Sequence, residues 1–556
     1  MKKLLQTFGI ILGTFYSLQA QIPSFSTFTG QAGVVSVLND GSYVTAYDST
    51  YTGSPTPGQA IKKVNADGSI AWIHLLKRSS YILSAVKINA IADDGNGGAI
   101  VAGNFQDVVY FGTDSLKAIA TFNKNILIMR VNATGKVWWM KAGGDDANYV
   151  GEDNANFLEV KNSNIYVAGL MSSRGCNIGS INFPRGTYGA TTKFFLAKLN
   201  MEGTTTWANL TTGGGAYVKN MKVDASENIY LIGEMTNSSD VKLNNTTTVV
   251  SADQGIFVAK YNNTGAVTFV KAWCEYAGGA VARDIAVDKD ANMYIVGFSG
   301  NFGSNFKGFT LPAKVSYLLK LNADATIAWW RFLKAEMNAS VLTGPQGVVV
   351  SGANVFVMGN FSVKGYLQSN ATDSITIQVR SGLTALSETY IARYSSTGNL
   401  DWHETGKHDG FITNNQATGM GSSPNQSKII IKGTFSTNAK FGTLMLPAVG
   451  TLGAYVFGFI GLSTGSGGTS FLNPKSNNNI VQFYPNPATN QVTISLVNSN
   501  NPTNVNIYDY TGKILINKIV EPNADLTINT ETLNKGVYII SIENNDSKIQ
   551  QKLIIQ

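Results

Sequence analysis

A repeated sequence motif, called the repeated phrase below, extends through most of the chain and limits which folds it can adopt. Copies of it follow one another at steps of about 57 to 74 residues, which is close to β-propeller blade spacing and longer than helical repeats. The phrase is an apolar run that closes on glycine, with a weaker first copy at Gly41–Ala46. The six clear copies are Gly98–Gly103, Asn164–Gly169, Asn228–Gly233, Asn292–Gly297, Asn354–Gly359 and Lys428–Gly433. The repeat predicts seven units.

The second half of each unit carries a cation, an apolar residue, asparagine, two further residues and glycine. The copies are Lys63–Gly68, Arg130–Gly135, Lys198–Gly203 and Lys260–Gly265, with the variants Lys320–Ala325 and Arg393–Gly398. An aromatic residue follows each copy: Trp72, Trp138, Trp207, Phe269, Trp329 and Trp402. We interpret the repeated cation as a solvated or snorkelled side chain on an outer strand, with a binding role as the alternative.

Runs of β-branched and aromatic residues that end at glycine predict about four short strands per unit, and no segment shows a sustained helical period. Strands such as Ile229–Ile232 are apolar on both faces, so both faces must be covered, as they are in a ring of blades. The closing glycine is expected either where two strands approach closely or where φ is positive.

These phrases resemble the β-propeller repeat of bacterial surface proteins (SBBP-like), over roughly Gly33 to Leu462. The resemblance implies a β-propeller. With seven units in the sequence, we predict an all-β fold: a seven-bladed β-propeller over residues 21–462, followed by a small antiparallel β-sandwich of Ig-like type. The last unit lacks a fourth strand, and residues 21–30 resemble one. We predict that this N-terminal segment completes the last blade and closes the ring.

The N-terminus has the pattern of a secretory signal peptide. Lys2 and Lys3 precede an apolar stretch from Leu4 to about Tyr16, and Ser17–Ala20 fits a cleavage site. We predict a signal peptide over residues 1–20 and a secreted mature protein. Its removal changes the formal charge from +7 to about +5 (7 − 2), and no basic block suggests nucleic-acid binding.

Residues 463–479 are rich in Gly, Ser and Asn and predict a flexible linker to a separate domain at 480–556. That domain shows period-2 alternation and short turns, which predict the small β-sandwich. Its phrases Tyr484–Pro487, Ile507–Lys513, Leu533–Tyr538 and Lys552–Ile555 resemble the type A C-terminal sorting domain of the Bacteroidota type IX secretion system (T9SS).

The sorting-domain resemblance implies export through the outer membrane to the cell surface or the extracellular space, with the type IX machinery as a partner. It also implies that Gly536, Tyr538 and Lys552 belong to the sorting signal. No transmembrane segment is expected in the mature protein.

Unequal loops between the second and third strands, and the connections between units, are expected on one face of the propeller. Long loops on a rigid scaffold commonly carry binding sites, and the longest are Leu170–Ala190 and Phe361–Glu388. The candidate binding residues are Asp145, Asp146, Tyr149, Arg174, Arg185, Tyr188, Tyr276, Arg380, His403 and His408. The alternative is that each is an ordinary exposed loop residue.

The sequence offers little catalytic or metal-binding chemistry. It contains three histidines, and His403 and His408 do not form a His-Glu-x-x-His pair. Asp288–Asn292 resembles the start of a calcium loop but lacks its glycine and distant glutamate, so a turn is favoured and calcium stays open. A Cys176–Cys274 disulfide is also open. We predict no catalytic residues, no metal site and no cofactor.

Three functions are consistent with these features. The first is a non-enzymatic surface protein that binds a glycan or another protein through the long-loop face. The second is a secreted propeller enzyme, a polysaccharide lyase or glycosidase that collects acids and tyrosines from several blades. The third is a structural spacer.

Overall fold

The computed structural model places two compact units along the chain, residues 1–472 and 473–556. The division lies inside the predicted linker, 463–479. The predicted signal peptide, residues 1–20, lies outside the described residues. The structure describes residues 25–29, 33–49, 58–66, 68–78, 85–119, 123–144, 153–171, 176–183, 193–235, 241–244, 249–250, 255–273, 281–299, 304–306, 309–311, 315–335, 344–362, 364–378, 387–406, 416–423, 428–436, 440–441, 444–445, 455–463, 480–484, 488–497, 503–509, 513–521, 525–543 and 548–556.

Every regular element among these residues is a strand. The first strands are β1 (Phe25–Thr29), β2 (Val34–Val37), β3 (Tyr43–Ser49), β4 (Gly58–Val64), β5 (Ile70–Arg78), β6 (Val86–Asp93), β7 (Ala99–Phe105), β8 (Val108–Phe111), β9 (Asp114–Lys117), β10 (Asn125–Val131), β11 (Val137–Gly144), β12 (Asn154–Lys161), β13 (Asn164–Met171), β14 (Cys176–Ile178), β15 (Ile181–Phe183), β16 (Lys193–Asn200), β17 (Thr205–Leu210) and β18 (Thr212–Gly213). The middle strands are β19 (Ala216–Val223), β20 (Ile229–Met235), β21 (Val241–Lys242), β22 (Val249–Val250), β23 (Ile256–Tyr261), β24 (Val267–Trp273), β25 (Val281–Val287), β26 (Met293–Phe298), β27 (Ser304–Phe306), β28 (Phe309–Leu311), β29 (Ser316–Leu321) and β30 (Ile327–Ala335). The remaining strands of the first unit are β31 (Gly344–Ser351), β32 (Asn354–Phe361), β33 (Lys364–Gln368), β34 (Ser374–Gln378), β35 (Glu388–Ser395), β36 (Leu400–Thr405), β37 (Gln416–Ser422), β38 (Lys428–Ser436), β39 (Lys440–Phe441), β40 (Leu444–Met445) and β41 (Tyr455–Ser463).

Within the described residues of the first unit, seven antiparallel groups of four strands repeat one meander, which we number as blades one to seven. From the inside outward they are β2-β3-β4-β5, β6-β7-β10-β11, β12-β13-β16-β17, β19-β20-β23-β24, β25-β26-β29-β30, β31-β32-β35-β36 and β37-β38-β41-β1. Each first strand packs beside the first strand of the next blade from β2 through β37. Ile430 of the last blade packs on Val37, Tyr43 and Val64 of the first, which closes the ring. The all-β class and the propeller architecture are confirmed.

The predicted role of the N-terminal segment is also confirmed. Strand β1 pairs antiparallel with β41 from Phe25 opposite Leu462 to Thr29 opposite Gly458. The seventh blade therefore takes its outermost strand from the beginning of the chain, so the two ends of the ring are joined by a ladder of backbone hydrogen bonds.

The core lies between neighbouring blades. Every residue of β7 and β10 is buried, and Ile229–Ile232 has no exposed surface. Val44 of the first blade and Val101 of the second belong to one apolar cluster, as side chains of adjacent blades do around the ring. The apolar character of both strand faces in the repeat is explained by this double coverage.

The meander gives the ring two different faces. First and third strands run one way and second and fourth strands the other. The short turns therefore lie on one face, the turn face, and the connections between blades and between second and third strands lie on the other, the loop face. In the turn at Asn132, the side-chain Oδ1 accepts hydrogen bonds from the backbone N–H groups of Thr134 and Lys136, at 3.0 and 2.9 Å. Gly135 adopts a φ of 85° there. This geometry accounts for the repeated Asn-x-x-Gly phrase.

The long connections are only partly loops. The hairpin β14–β15 within Leu170–Ala190 pairs with β11, and β33–β34 within Phe361–Glu388 pairs with β30. Both hairpins extend the preceding blade, as does β8–β9 on β5. The expectation that these segments form loops is wrong for these parts, because their backbone groups are paired into sheets.

The second unit contains two antiparallel sheets. Its strands are β42 (Ile480–Tyr484), β43 (Gln491–Val497), β44 (Thr503–Tyr508), β45 (Ile514–Val520), β46 (Asp525–Asn529), β47 (Gly536–Glu543) and β48 (Lys548–Ile555). The sheet orders are β42-β43-β46 and β45-β44-β47-β48. Val492 and Ile494 from one sheet and Val505, Ile507 and Ile540 from the other share one apolar core.

Candidate functional site

The structure describes one of the ten predicted binding residues. His403 lies on the outermost strand of the sixth blade, β36, opposite Ala392, and its side chain is exposed. The other nine lie outside the described residues: Asp145, Asp146, Tyr149, Arg174, Arg185, Tyr188, Tyr276, Arg380 and His408. Their convergence on the loop face stays a prediction.

The interpretation of the repeated cation as a solvated outer-strand residue is wrong. The cations lie on the third strand of each blade, and Lys63, Arg130 and Arg393 are only 5%, 6% and 4% exposed. These three side chains bind backbone or carboxylate oxygens of the protein. Lys63 Nζ donates to the Gly97 carbonyl of the next blade at 2.7 Å, and Lys198 Nζ pairs with Glu227 of the next blade at 2.8 Å.

Tryptophan and glycine complete this contact between blades. The Nε1–H of Trp207 donates to the Asn263 carbonyl in the next blade's turn, at 3.0 Å. A Cβ added to Gly265 of that turn would lie 2.9 Å from the Trp207 ring. The second blade uses Trp139, which is opposite Arg130, whereas the predicted Trp138 is 52% exposed. The turn face is thus an interlocked structural layer.

The inner strands carry a feature that the sequence reasoning missed. Six of them, in blades two to seven, contain a β-bulge, an extra residue that re-aims side chains and is common beside functional sites. The extra residue is polar in each case. We name these residues the bulge ring: Asn89, Asn156, Lys219, Arg283, Gln346 and Thr418.

The closing glycine of the repeated phrase makes room for each bulge. A Cβ added to Gly297 would overlap the carbonyl oxygen of Val281 on the bulged strand, and one on Gly103 would overlap that of Lys87. Gly169, Gly233, Gly359 and Gly433 meet a carbonyl oxygen in the same way. The predicted close approach of two strands is therefore the correct alternative, and it connects the repeat to the bulge ring.

The bulge ring lies near the loop-face end of the inner strands. The Asn89 side chain in blade two donates to the Ala155 carbonyl at 3.1 Å and to Asn156 Oδ1 at 3.2 Å, both in blade three. Lys219 Nζ lies 2.9 Å from Glu234 Oε2. The Arg283 guanidinium lies 5.3 Å from the centre of the Phe298 ring.

We call the space around the axis of the ring, bordered by the inner strands, the channel. A group of four charged residues from four blades lies along it, further from the loop face than the bulge ring. We name Glu159, Lys222, Asp284 and Lys432 the channel cluster. Lys222 Nζ lies 2.8 Å from Glu159 Oε1, and these side chains keep 36% and 31% of their surface accessible. Burial alone lowers the pKa of Lys222, but Glu159 and Asp284 raise it above its usual value. Because both side chains of the Glu159–Lys222 pair stay partly accessible, water reaches this part of the channel.

Asp284 links three blades. Its carboxylate accepts hydrogen bonds from the side chain of Asn220 in the fourth blade, and from the Ile285 and Val348 backbone N–H groups at 2.8 Å each. The residue is 5% exposed. Burial raises its pKa to about 6, although Lys222 and the hydrogen bonds oppose this shift. Asp284 is thus an inter-blade anchor inside the channel.

Lys432 reaches the cluster because its neighbour lacks a side chain. Gly419 on the innermost strand β37 is opposite Lys432, and the lysine side chain crosses the position where a Gly419 Cβ would stand. Burial lowers the pKa of Lys432, and Asp284 partly offsets that effect.

Charged side chains of both signs lie along the inner strands. The bulge ring, the channel cluster and Glu234 together hold four cations (Lys219, Lys222, Arg283 and Lys432) and three carboxylates (Glu159, Glu234 and Asp284), a net charge of +1 (4 − 3). No group of three or more His, Cys, Asp or Glu side chains in the described part of the chain could hold a metal ion.

The calcium-like segment forms a turn. Asp288 Oδ1 accepts from the N–H groups of Asp290 and Asn292 at 2.9 Å each, and Oδ2 accepts from the Asn292 side chain and the Tyr294 hydroxyl. Both carboxylate oxygens are engaged by the protein. Cys176 is buried in β14, and Cys274 lies outside the described residues, so the question of a Cys176–Cys274 disulfide stays open.

The bulges leave a trace in the sequence. In two of the six bulged strands, Lys219-Asn220 and Arg283-Asp284 are pairs of consecutive polar residues that interrupt a largely apolar sequence. Such a pair breaks the period of two, which is what one inserted residue does. A comparison of the segments that precede the Asn-x-Tyr motifs in different blades could have revealed the inserted residue.

In the second unit, the predicted sorting residues occupy paired strands. Tyr538 on β47 is 8% exposed, and its hydroxyl donates to the Asn534 carbonyl at 2.7 Å. Gly536 begins β47, and Lys552 on β48 is opposite Ile539. Tyr538 thus serves the core of this unit, and the signalling role of the three residues stays a prediction.

Comparison with known proteins identifies the second unit. Residues 482–556 match the secretion system C-terminal sorting domain. This domain indicates type IX export to the cell surface or the extracellular space and interaction with the type IX machinery. Within the part of the chain that the structure describes, no helix is long and apolar enough to cross a membrane.

The chain is also similar to several solved structures at low sequence identity. A protein of unknown function from Dyadobacter fermentans is similar at 11% identity and a TM-score of 0.32, covering 66% of this chain and 98% of that one. A Lactobacillus plantarum protein is similar at 11% and 0.27, covering 72% and 95%. Cobalt-substituted Synechocystis apocarotenoid oxygenase is similar at 12% and 0.29, and the match spans 54% of this chain and 61% of that enzyme. No curated protein matches the sequence.

Proposed function

We propose that this exported propeller is a non-enzymatic binding protein that holds a glycan or another surface protein on its loop face. The observation that carries the proposal is the difference between the two faces. The turn face is interlocked by tryptophan, glycine and buried cations. The loop face carries the inter-blade connections and the polar bulge ring.

The sorting domain supports this proposal because it accounts for where the propeller is delivered. A protein placed at the cell surface meets external polymers and neighbouring surface proteins. Rigid scaffolds with variable connections on one face commonly bind through that face. The blades themselves are held by buried packing, so the loop-face residues are not required to hold the ring together.

The carboxylates of the channel give less support to the enzyme alternative. A general acid or base needs a carboxyl group within reach of a substrate. Asp284 already accepts three hydrogen bonds, and Glu159 is paired with Lys222. Their arrangement favours a structural and electrostatic role.

A binding screen and a degradation screen on the same purified chain test the proposal. The screen offers neutral and acidic glycans and the surface proteins of the producing cell. We expect saturable binding to one of them, with no release of shortened or unsaturated sugars after prolonged incubation. Release of sugar products would support the enzyme alternative, and absence of all binding would support the spacer.

A further inference from the structure

The two sheets of the second unit have different outer faces. On the sheet β42-β43-β46, the described outward residues are polar: Gln491 is opposite Asn529, and Thr493 is opposite Thr527. The hydroxyls of Thr493 and Thr527 lie 3.1 Å apart. These residues alternate with core residues, which is the pattern of a sheet that has water on one face.

The outer face of the other sheet, β45-β44-β47-β48, is apolar at one end. Val537 and Ile539 alternate with core residues of β47 and are 52% and 45% exposed, and Ile514 at the start of β45 is 50% exposed. The register places Ile514 opposite Tyr508 and Tyr508 opposite Ile539. It also places Val537 opposite Ile554. Opposed residues are neighbours on one face of a sheet, so these five residues form two adjoining rows, which we name the apolar end.

The apolar end does not continue along the sheet. In the middle of the same face, the Asn517 side chain donates to Asn504 Oδ1 at 2.9 Å and to Asn506 Oδ1 at 2.5 Å. Ile519 lies beyond this polar group, opposite Asn504, and is 69% exposed. The exposed isoleucine at the far end therefore has asparagine neighbours, whereas those of the apolar end have apolar neighbours.

Lysines flank the apolar end. Lys513 and Lys535 are exposed and immediately precede β45 and β47. Lys552 is opposite Ile539 in the register. The carboxylate of Asp509 accepts a hydrogen bond from the Lys513 backbone N–H at 3.1 Å. A surface that complements this one is apolar at its centre and carries carboxylates at its rim.

The identity of the second unit indicates the partner. This unit is a sorting domain, which interacts with the type IX machinery. Exposed apolar side chains that form one contiguous patch commonly mark a protein interaction site. Tyr538 is the β47 residue between Val537 and Ile539, and Lys552 is opposite Ile539. Two of the predicted sorting residues therefore adjoin the apolar end.

We propose that the apolar end is the surface through which this sorting domain docks on a component of the type IX machinery. The docking surface of that component is an apolar patch with acidic residues at its rim. Tyr538 acts as a positioning residue, because its buried ring holds Val537 and Ile539 on the outer face. The inference goes beyond the proposed function, since it concerns the second unit and not the loop face of the propeller.

The test measures export of the full chain from a cell with a type IX system, as the ratio of protein outside the outer membrane to protein retained in the cell. Ile539→Ser should lower this ratio by about tenfold or more, as the loss of a central apolar contact does in an interface. Lys535→Glu should also lower it, because it places a negative charge against the carboxylates of the partner.

Ile519→Ser is the matched control. It makes the same change at an exposed isoleucine of the same sheet, outside the apolar end, and export should stay within about twofold of the unaltered chain, as for most surface substitutions. Limited proteolysis of the purified full chain should show that the second unit is folded in each variant. Equal losses in Ile539→Ser and Ile519→Ser, or normal export of Ile539→Ser, would overturn the inference.

A crosslinking experiment identifies the partner without altering residue 539. A photoreactive phenylalanine derivative at position 537 should crosslink the full chain to a type IX protein in living cells, whereas the same derivative at position 527, on the polar sheet, should not. Crosslinks from position 537 only to a second copy of the chain, or to no type IX protein, would overturn the inference. None of these results bears on binding by the loop face, which is tested separately.

Discussion

The interlock between tryptophan and glycine at the turn face makes a quantitative prediction for Gly203→Ala. Gly203 has a φ of 77°, and a Cβ placed there would lie 2.9 Å from two atoms of the Trp139 ring. Alanine in the left-handed region costs about 1–2 kcal/mol. Forcing a methyl group into a packed site costs about a further 1–3 kcal/mol. We therefore expect a loss of about 2–5 kcal/mol in the free energy of unfolding.

Gly68 provides a matched control in the first blade. It occupies the same turn position with a φ of 83°, and among the described residues nothing lies within 4 Å of its added Cβ. Gly68→Ala should therefore cost only the backbone amount, about 1–2 kcal/mol. The loss of chain entropy in the unfolded state is similar for both substitutions and cancels in the comparison.

Urea unfolding followed by tryptophan fluorescence measures the difference. All 8 tryptophans of the chain lie between Trp72 and Trp402, so the signal reports on the propeller and not on the sorting domain. Gly203→Ala should unfold at a lower urea concentration than Gly68→Ala. In a Trp139→Ala background, the extra cost of Gly203→Ala should disappear. Equal midpoints for the two glycine variants, or an extra cost that persists without Trp139, would refute the interlock.

Three further predictions concern the blade contacts, the channel and the ring closure. Trp207→Phe removes the 3.0 Å hydrogen bond to Asn263 and should lower the free energy of unfolding by about 1 kcal/mol, more than Trp138→Phe does in the same urea assay. Burial raises the pKa of Asp284 to about 6, above its unfolded value, so ionisation costs stability as pH rises from about 4 to 7, by about 3 kcal/mol at most. Asp284→Asn should therefore be more destabilising at pH 4.5 than at pH 7.5, and a constant difference between urea midpoints would contradict this. Deleting residues 21–30 removes β1 and should lower the thermal midpoint markedly, whereas an unchanged melting profile would show that the ring closes without it.

The sequence was sufficient for the features that are set locally. Three patterns predict the strands, the turns and the ring: apolar and polar residues that alternate, glycines at the ends of strands, and the spacing between repeats. Each pattern depends on residues that are close together in the chain. The sorting domain could also be predicted, because its sequence motifs are short and continuous. The closing strand β1 could be predicted because the last unit lacked one.

The contacts between blades could not be predicted from the sequence. Lys63 and Gly97 are 34 residues apart, and Trp207 and Asn263 are 56 apart, so nothing local shows that they meet. A lysine or arginine in a polar phrase looks solvated until the next blade covers it. The same limit explains why the repeat pattern indicates Trp138, whereas Trp139 is the residue opposite Arg130.

The sequence by itself determined the composition of each blade and the export of the chain, because strand periodicity and the sorting phrases are properties of contiguous residues. Only the tertiary structure decided which side chains share the channel. Glu159, Lys222, Asp284 and Lys432 come from four blades and are as much as 273 residues apart (432 − 159). They meet because the repeated glycines admit a bulge in the inner strands, because Gly419 leaves room for the Lys432 side chain, and because the ring closes.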